Sequence, residues 1–221
     1  FFAPAKYGLL PELKGADQLT QANALLNATT FIAILGGNVA GALLTDRLWA
    51  VALLTGAGAL ISLGAALSIE KVPPANPEQA LRWNPLPDIV ANTRLVRADP
   101  ALFRSLLALS WFWFLGGVLH LNAFTYVKQT MDLGDGVSGL FLTAVAIGIA
   151  GGSLAAGKMS KEKVELGLVP LGAVGMGVFT LDLFFAHGSL ARVLVDAALL
   201  GFASGLFVIP LTTLVQARSP D

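Results

Sequence analysis

The sequence predicts an all-α membrane protein on three observations. Mean hydropathy is +0.73, charged residues are only 13% of the chain, and the apolar residues are blocked into runs long enough to cross a bilayer. A soluble domain carries about 25% charged residues to face water, so this chain lacks the polar surface that water requires. A spanning helix needs about 20 mostly apolar residues to cross roughly 30 Å of hydrocarbon. Six stretches meet that need, at 22–45, 48–69, 105–127, 137–157, 166–187 and 193–216. The first four contain no Asp, Glu, Lys or Arg, and the last two contain one acid each, Asp182 and Asp196. A helix of a soluble fold rarely stays apolar on all faces for that length.

Orientation follows from the basic residues, which gather on the cytoplasmic side of bacterial membrane proteins. Of the 14 Lys and Arg, only Arg47, Lys128 and Arg192 fall on one side of the six spans. The others, from Lys6 and Lys14 through Arg94, Arg104 and Lys158 to Arg218, fall on the opposite side. Both ends of the chain and its long middle loop are therefore expected in the cytoplasm. The net charge of zero carries no information about partners, and nothing points to nucleic acid. The absence of cysteine excludes disulfides, thiolate metal sites and Cys nucleophiles.

The first two spans are joined by a very short turn at Asp46-Arg47. A polar loop then runs from Glu70 to Arg104, broken by Pro73, Pro74, Pro77, Pro85 and Pro87, before four spans with short links. From Asp88 to Asp99 a short helix is expected, with Ile89, Thr93 and Val96 on one face. It reads as a helix lying on the inner membrane surface or as a solvated linker. The opening Phe1-Phe2-Ala3-Pro4 has neither an initiator Met nor a signal peptide pattern. It reads as the end of a helix begun upstream, and the chain as an internal fragment.

No enzyme constellation appears. The two histidines, His120 and His187, lie in different spans, and there is no P-loop, H-E-x-x-H motif or metal-ligand cluster. No cofactor or metal is therefore expected. The informative residues are the polar ones inside spans, because each is costly in lipid unless it faces protein or water. Asn23, Asn27, Thr30 and Asn38 fall within an arc of about 100° on the first span, joined by Gly37 and Gly41. That face either lines a substrate cavity or hydrogen-bonds to neighbouring helices. His120, with Asn122 nearby, either faces a cavity or packs against a backbone carbonyl. Asp182 and Asp196 lie near the outer ends of their helices with Arg192 four residues before Asp196, which favours an interfacial ion pair over proton coupling. Gly37/Gly41, Gly148/Gly152 and Gly201/Gly205 each form G-x-x-x-G, a pattern that suits close helix packing. Pro210, deep in the last span, is expected to kink it.

Two spans, a long cytoplasmic loop and four spans resemble the middle of a twelve-helix carrier of the major facilitator superfamily, from the end of its fourth helix to its tenth. The segment from Gly152 to Lys158 and on to Lys163 resembles that superfamily's basic loop signature between the eighth and ninth helices, with Ala156 where an Asp is usual. The resemblance divides the chain into the end of an amino-terminal bundle (1–69), a central loop (70–104) and part of a carboxyl-terminal bundle (105–221).

Longer strings resemble the bacterial lysophospholipid transporters: Pro4-Ala5-Lys6-Tyr7-Gly8-Leu9-Leu10-Pro11-Glu12, Thr30 to Gly37, and Gly205 to Leu211 followed by Gln216. Ser110 to Gly116 and Lys163 to Pro170 are similar to members fused to a glycerophospholipid acyltransferase and an acyl-carrier-protein ligase. The resemblance implies flipping of lysophospholipids, chiefly lysophosphatidylethanolamine, across the bacterial inner membrane for reacylation by such enzymes, fused or separate. On that reading membrane lipids are also partners. Lys6 would meet the phosphate, or else snorkel at the boundary. His120 and Asn122 would stand at the headgroup in the seventh helix, and Asn23, Asn27 and Asn38 would line the headgroup side. Trp111, Phe112 and Trp113 would flank the acyl chain, or serve packing alone. Export of drugs or other solutes, or a membrane anchor for an attached enzyme, are the alternatives.

Overall fold

The computed structural model describes residues 2–13, 18–44, 47–69, 86–160 and 164–219, and among these residues it is helical without strands. The elements run α1 (Phe2–Leu13), α2 (Leu19–Leu43), α3 (Leu48–Leu67), α4 (Leu86–Ala98), α5 (Pro100–Thr125), a π-helical turn (Tyr126–Thr130), α6 (Asp135–Ser160), α7 (Leu168–Ala186) and α8 (Leu190–Arg218). Among the described residues five helical segments are long and apolar enough to cross a membrane: α3, α5 with its π turn, α6 from Val137, α7 and α8. They coincide with five of the six expected spans. The remaining one is α2, a helix of 25 residues, whose second half lies partly outside the described side chains. The proline-rich stretch from Pro73 to Pro85 lies outside the described residues.

Chain chemistry sets the ends of these helices. Asp99-Pro100 starts α5: the proline supplies a helical φ and has no N–H to leave unpaired. The Asp99 carboxylate accepts from the backbone N–H of Ala101 at 2.9 Å and of Leu102 at 3.3 Å. At its other end α5 widens into the π turn and stops at Asp132, which takes a left-handed φ of 55°. An Asp tolerates that region better than most side chains. Ser189 caps α8 by accepting from the Arg192 N–H. The turn at 131–134 and that at 187–189 are short, so α5, α6, α7 and α8 run alternately up and down. α6 and α8 are thereby parallel to each other.

The core is built around α8, buried along most of its length and packed against α6 and α7, with α5 and α2 completing its surroundings. In lipid, apolar side chains gain nothing by leaving the solvent, so helices associate through close van der Waals packing and interhelical hydrogen bonds. The glycines show how close. A Cβ on Gly152 would run into the carbonyl oxygen of Phe202, one on Gly201 into that of Val145, and one on Gly172 would lie 2.7 Å from the Ala203 oxygen. Gly148/Gly152 and Gly201/Gly205 thus act as the packing motifs expected of them, on the same α6–α8 seam. Gly37 does not, because nothing lies within 4 Å of its Cβ position.

Pro210 is buried within α8, which continues through it to Arg218. The ring leaves the Leu206 carbonyl without its helical donor. α3 has no buried residue; Leu60 and Ile61 are 71% and 73% exposed, and no other described element packs on it closely. The short helix expected from Asp88 is α4, which touches α5 and leaves Ile89, Val90 and Leu95 exposed.

Candidate binding cleft between α2, α5 and α8

The buried face of α2 carries Leu19, Thr20, Asn23, Ala24, Asn27 and Ala28, spaced at one helical turn and turned toward α6 and α8. α2 runs antiparallel to both, and small residues let it approach: Ala24 abuts Gly157 of α6. Beside them the Asn27 amide donates to Ser153 Oγ at 2.7 Å. The Asn23 amide donates to Thr213 Oγ1 at 3.3 Å and to Gln216 Oε1 of α8. Thr213 gives its own hydroxyl hydrogen to the Ile209 carbonyl at 3.0 Å. It can therefore only accept from Asn23, which fixes that amide with its nitrogen toward α8. Asn23 Oδ1 is consequently buried with no hydrogen-bond partner, an arrangement that costs about 1–3 kcal/mol.

A small cleft of about 170 Å³ opens beside these amides, lined by Asn23 and Asn27 of α2, Leu109 and Trp113 of α5, and Val208, Ile209 and Thr212 of α8. One wall offers amides and a hydroxyl, the other indole and aliphatic surface. Phe112 backs this region by stacking on Phe207 of α8, with ring centroids 5.8 Å apart. Among the described residues no charged side chain lines the cleft. It can hold a polar group by hydrogen bonds and an apolar segment by contact; it cannot hold an ion by charge.

The residues expected from sequence are only partly brought together. Asn23 and Asn27 share the cleft, and they also make the interhelical bonds that were the other reading of their face. Trp113 lines the cleft, whereas Trp111 is 61% exposed and leans on Phe114. His120 stands two helical turns beyond Trp113 on the same stripe, about 10 Å along the axis. It is exposed, edge-on to Phe124 at 6.4 Å, and outside the cleft. The exposed Asn122 amide turns back to the Val118 carbonyl of its own helix at 2.9 Å. Lys6 belongs to α1 and Asn38 to α2, and both side chains lie outside the described residues. Sequence reasoning missed Ser153, Thr212 and Thr213. Their signal was available: each is a hydroxyl inside an otherwise apolar span, and such groups need a partner.

Two ionic contacts tie helix ends. At one end of the bundle Arg218 donates to Asp99 Oδ2 at 2.9 Å, joining the end of α8 to the start of α5. That guanidinium hydrogen bond, followed by the backbone N–H of Leu102, holds the Asp99 carboxyl below its ordinary value of 3.8. At the other end Arg192 bonds Asp182 of α7 through Nη2, and through Nε at 3.4 Å. The expected interfacial ion pair is therefore Arg192–Asp182, and Asp196, 5% exposed, adjoins it on the Asp182 side. Among the described residues no group of acidic, His or Cys side chains is placed to hold a metal.

Apolar helices packed around α8, five of them of membrane-spanning length among the described residues, define a multi-pass membrane protein. The chain belongs to the major facilitator superfamily, whose family model matches residues 1–221. Among individual proteins it is similar to the lysophospholipid transporter LplT of Enterobacter sp. (strain 638), 35% identical over 98% of this chain and 55% of that protein. It is also similar to the lysophospholipid transporter LplT of Cronobacter sakazakii, at 34% over 98% of this chain and 55% of that protein, and of Pectobacterium carotovorum, at 32% over 98% and 54%. The chain thus spans about half the length of these relatives. No solved structure matches it.

Proposed function

We propose that this chain is the central part of a bacterial inner-membrane carrier that flips lysophospholipids, such as lysophosphatidylethanolamine, by alternating access. The observation that carries the reading is the cleft between α2, α5 and α8, with amides on one wall and Trp113, Leu109 and Ile209 on the other. A lysophospholipid has the matching duality of a polar head and a single acyl chain. An unpartnered buried acceptor, Asn23 Oδ1, remains for a hydroxyl or ammonium donor of such a head. The names of the similar proteins point to the same substrate class. A carrier of cationic drugs would need an acidic group in its cleft, and none lines this one.

The positive-inside rule places both ends and the loop at 70–104 in the cytoplasm. That loop would separate the end of one bundle, 1–69, from part of the next, 105–221, and α4 would lie at the inner surface with Ile89, Val90 and Leu95 toward lipid. α2 would then belong to one bundle while α6 and α8 belong to the other. Asn23 and Asn27 tie α2 to them near its start, whereas Ile34 and Gly37 farther along that face are exposed. The arrangement suits a carrier closed at its cytoplasmic end and open at the other. Opening would release the two amides from Ser153, Thr213 and Gln216 and present them to the headgroup. Lys6, Asn38, His120 and Asn122 would contribute along the path rather than in this cleft. The flipped lipid would pass to an acyltransferase and acyl-carrier-protein ligase, fused or separate.

The test is uptake of lysophosphatidylethanolamine by vesicles carrying the full-length protein. Asn27→Leu, which keeps the helix and removes the amide, is expected to lower uptake at least about tenfold, the worth of a single well-placed hydrogen bond to a charged group. Unaltered uptake in both Asn23→Leu and Asn27→Leu would remove the cleft from the transport path.

A further inference from the structure

Among the described residues the most costly buried group is far from the cleft. Asp196 lies in the second turn of α8, 5% exposed, and its Oδ2 has no hydrogen-bond partner. A buried carboxylate in a membrane span needs a counter-charge or donors, so the candidates can be checked by element. On α8 itself the nearest cation is Arg192, one turn away, but it is turned across to Asp182 of α7 and bonds both carboxylate oxygens.

α7 brings a second acid rather than a donor. It packs antiparallel to α8 with Gly172 against Ala203 and Phe207 and Gly175 against Ala203, a register that sets Asp182 opposite Asp196. From the π turn after α5, Tyr126 acts electrostatically on Asp196, yet its hydroxyl donates to the Leu183 carbonyl at 2.6 Å. The ring of His187 sits against the Phe184 carbonyl at 2.9 Å on the exposed turn. The one ionisable side chain of α6 among its described residues, Lys158, is at the opposite end of the bundle. Among the described residues Arg192 and Asp182 neutralise each other, so the cluster is one positive charge short, and the shortfall is at Asp196.

We propose that Asp196 is a proton-binding site, occupied in the arrangement seen here, with its O–H directed at the Asp182 carboxylate. The proton comes from hydronium at the α7–α8 turn: the carboxylate becomes a carboxylic acid and one water is released. Protonation turns two facing carboxylates into a donor and an acceptor and leaves the cluster neutral beside Leu183, Val193 and Leu200 of the apolar core. Loss of the proton would place two like charges across the α7–α8 contact and favour a state in which these helices separate. The pH at that membrane face therefore biases the conformational equilibrium of the carrier. This inference does not depend on which substrate is carried.

Infrared spectroscopy of the full-length protein in lipid nanodiscs tests it without substrate. At about pH 7 an exposed carboxyl is ionised, so a protonated-carboxyl absorption there, lost in Asp196→Asn and retained in Asp99→Asn, is the expected result. Its absence from the unsubstituted protein, or its persistence in Asp196→Asn, would overturn the assignment. The unsubstituted spectrum decides even if the variant fails to fold. A second arm measures lipid flux between about pH 5 and about pH 9: it should vary several-fold in the unsubstituted protein and less than about twofold in Asp196→Asn. Parallel profiles would contradict the coupling, whereas absence of flux in every form would fault the lipid reading and leave the infrared result standing.

Discussion

At the residue scale, the proposed function turns on a few polar side chains in a chain that has little use for them elsewhere. Asn23 and Asn27 were legible from sequence, because three amides on one arc of an apolar helix must face protein or water. Their partners were less legible: which hydroxyl a buried amide meets depends on helix register, and register is a tertiary property. The same limit applies to Arg192, whose sequence neighbour is Asp196 but whose partner is Asp182 on another helix. Asp99 illustrates a pH effect with a definite sign. Its carboxyl titrates below the ordinary 3.8 in the folded protein, so its tie to Arg218 is complete above that value and is lost as pH falls through the lower folded one. Amide exchange at Ala101 and Leu102 should therefore be insensitive to pH-specific opening from neutrality down to about pH 5, and rise in Asp99→Ala at all of these pH values. Equal protection in the variant would mean that the cap does not hold the start of α5.

At the element scale, glycine decides which helices touch. Gly152 and Gly201 sit where a side chain would strike the facing backbone, so Gly152→Leu or Gly201→Leu forces α6 and α8 apart. Each should destabilise the bundle by about 1–3 kcal/mol or more, the usual effect of overpacking, seen as a lower midpoint of thermal unfolding in detergent. Gly37→Ala and Gly117→Ala meet nothing within 4 Å and should leave that midpoint unchanged or slightly raised. Similar shifts in both sets would contradict the packing account. The G-x-x-x-G pattern was visible in sequence at three places: two of them are contacts, and at the third Gly37 meets nothing within 4 Å while the surroundings of Gly41 lie outside the described residues. Pattern alone could not separate these from Gly37, since the spacing states that a close approach is permitted and not that a partner is present. Helix existence was more legible: apolar runs of span length cannot fold otherwise in lipid, where every backbone group must be paired internally.

At the scale of the whole molecule, charge placement carries the proposed orientation, and the absence of cysteine from this chain makes it simple to measure. Single-cysteine forms Gly188→Cys and Ser219→Cys in intact cells should differ in access to a membrane-impermeant thiol reagent. Gly188→Cys is expected to react from outside, and Ser219→Cys only after permeabilisation; the reverse would invert the proposed topology. The central claim concerns transport, and one measurement meets it most directly. Full-length protein, unsubstituted and Asn27→Leu, is reconstituted into vesicles, and movement of labelled lysophosphatidylethanolamine to the inner leaflet is followed against protein-free vesicles. The account predicts protein-dependent movement that falls at least about tenfold in the variant while its helical content is unchanged. Movement no faster than in protein-free vesicles, or equal in both forms, would contradict it.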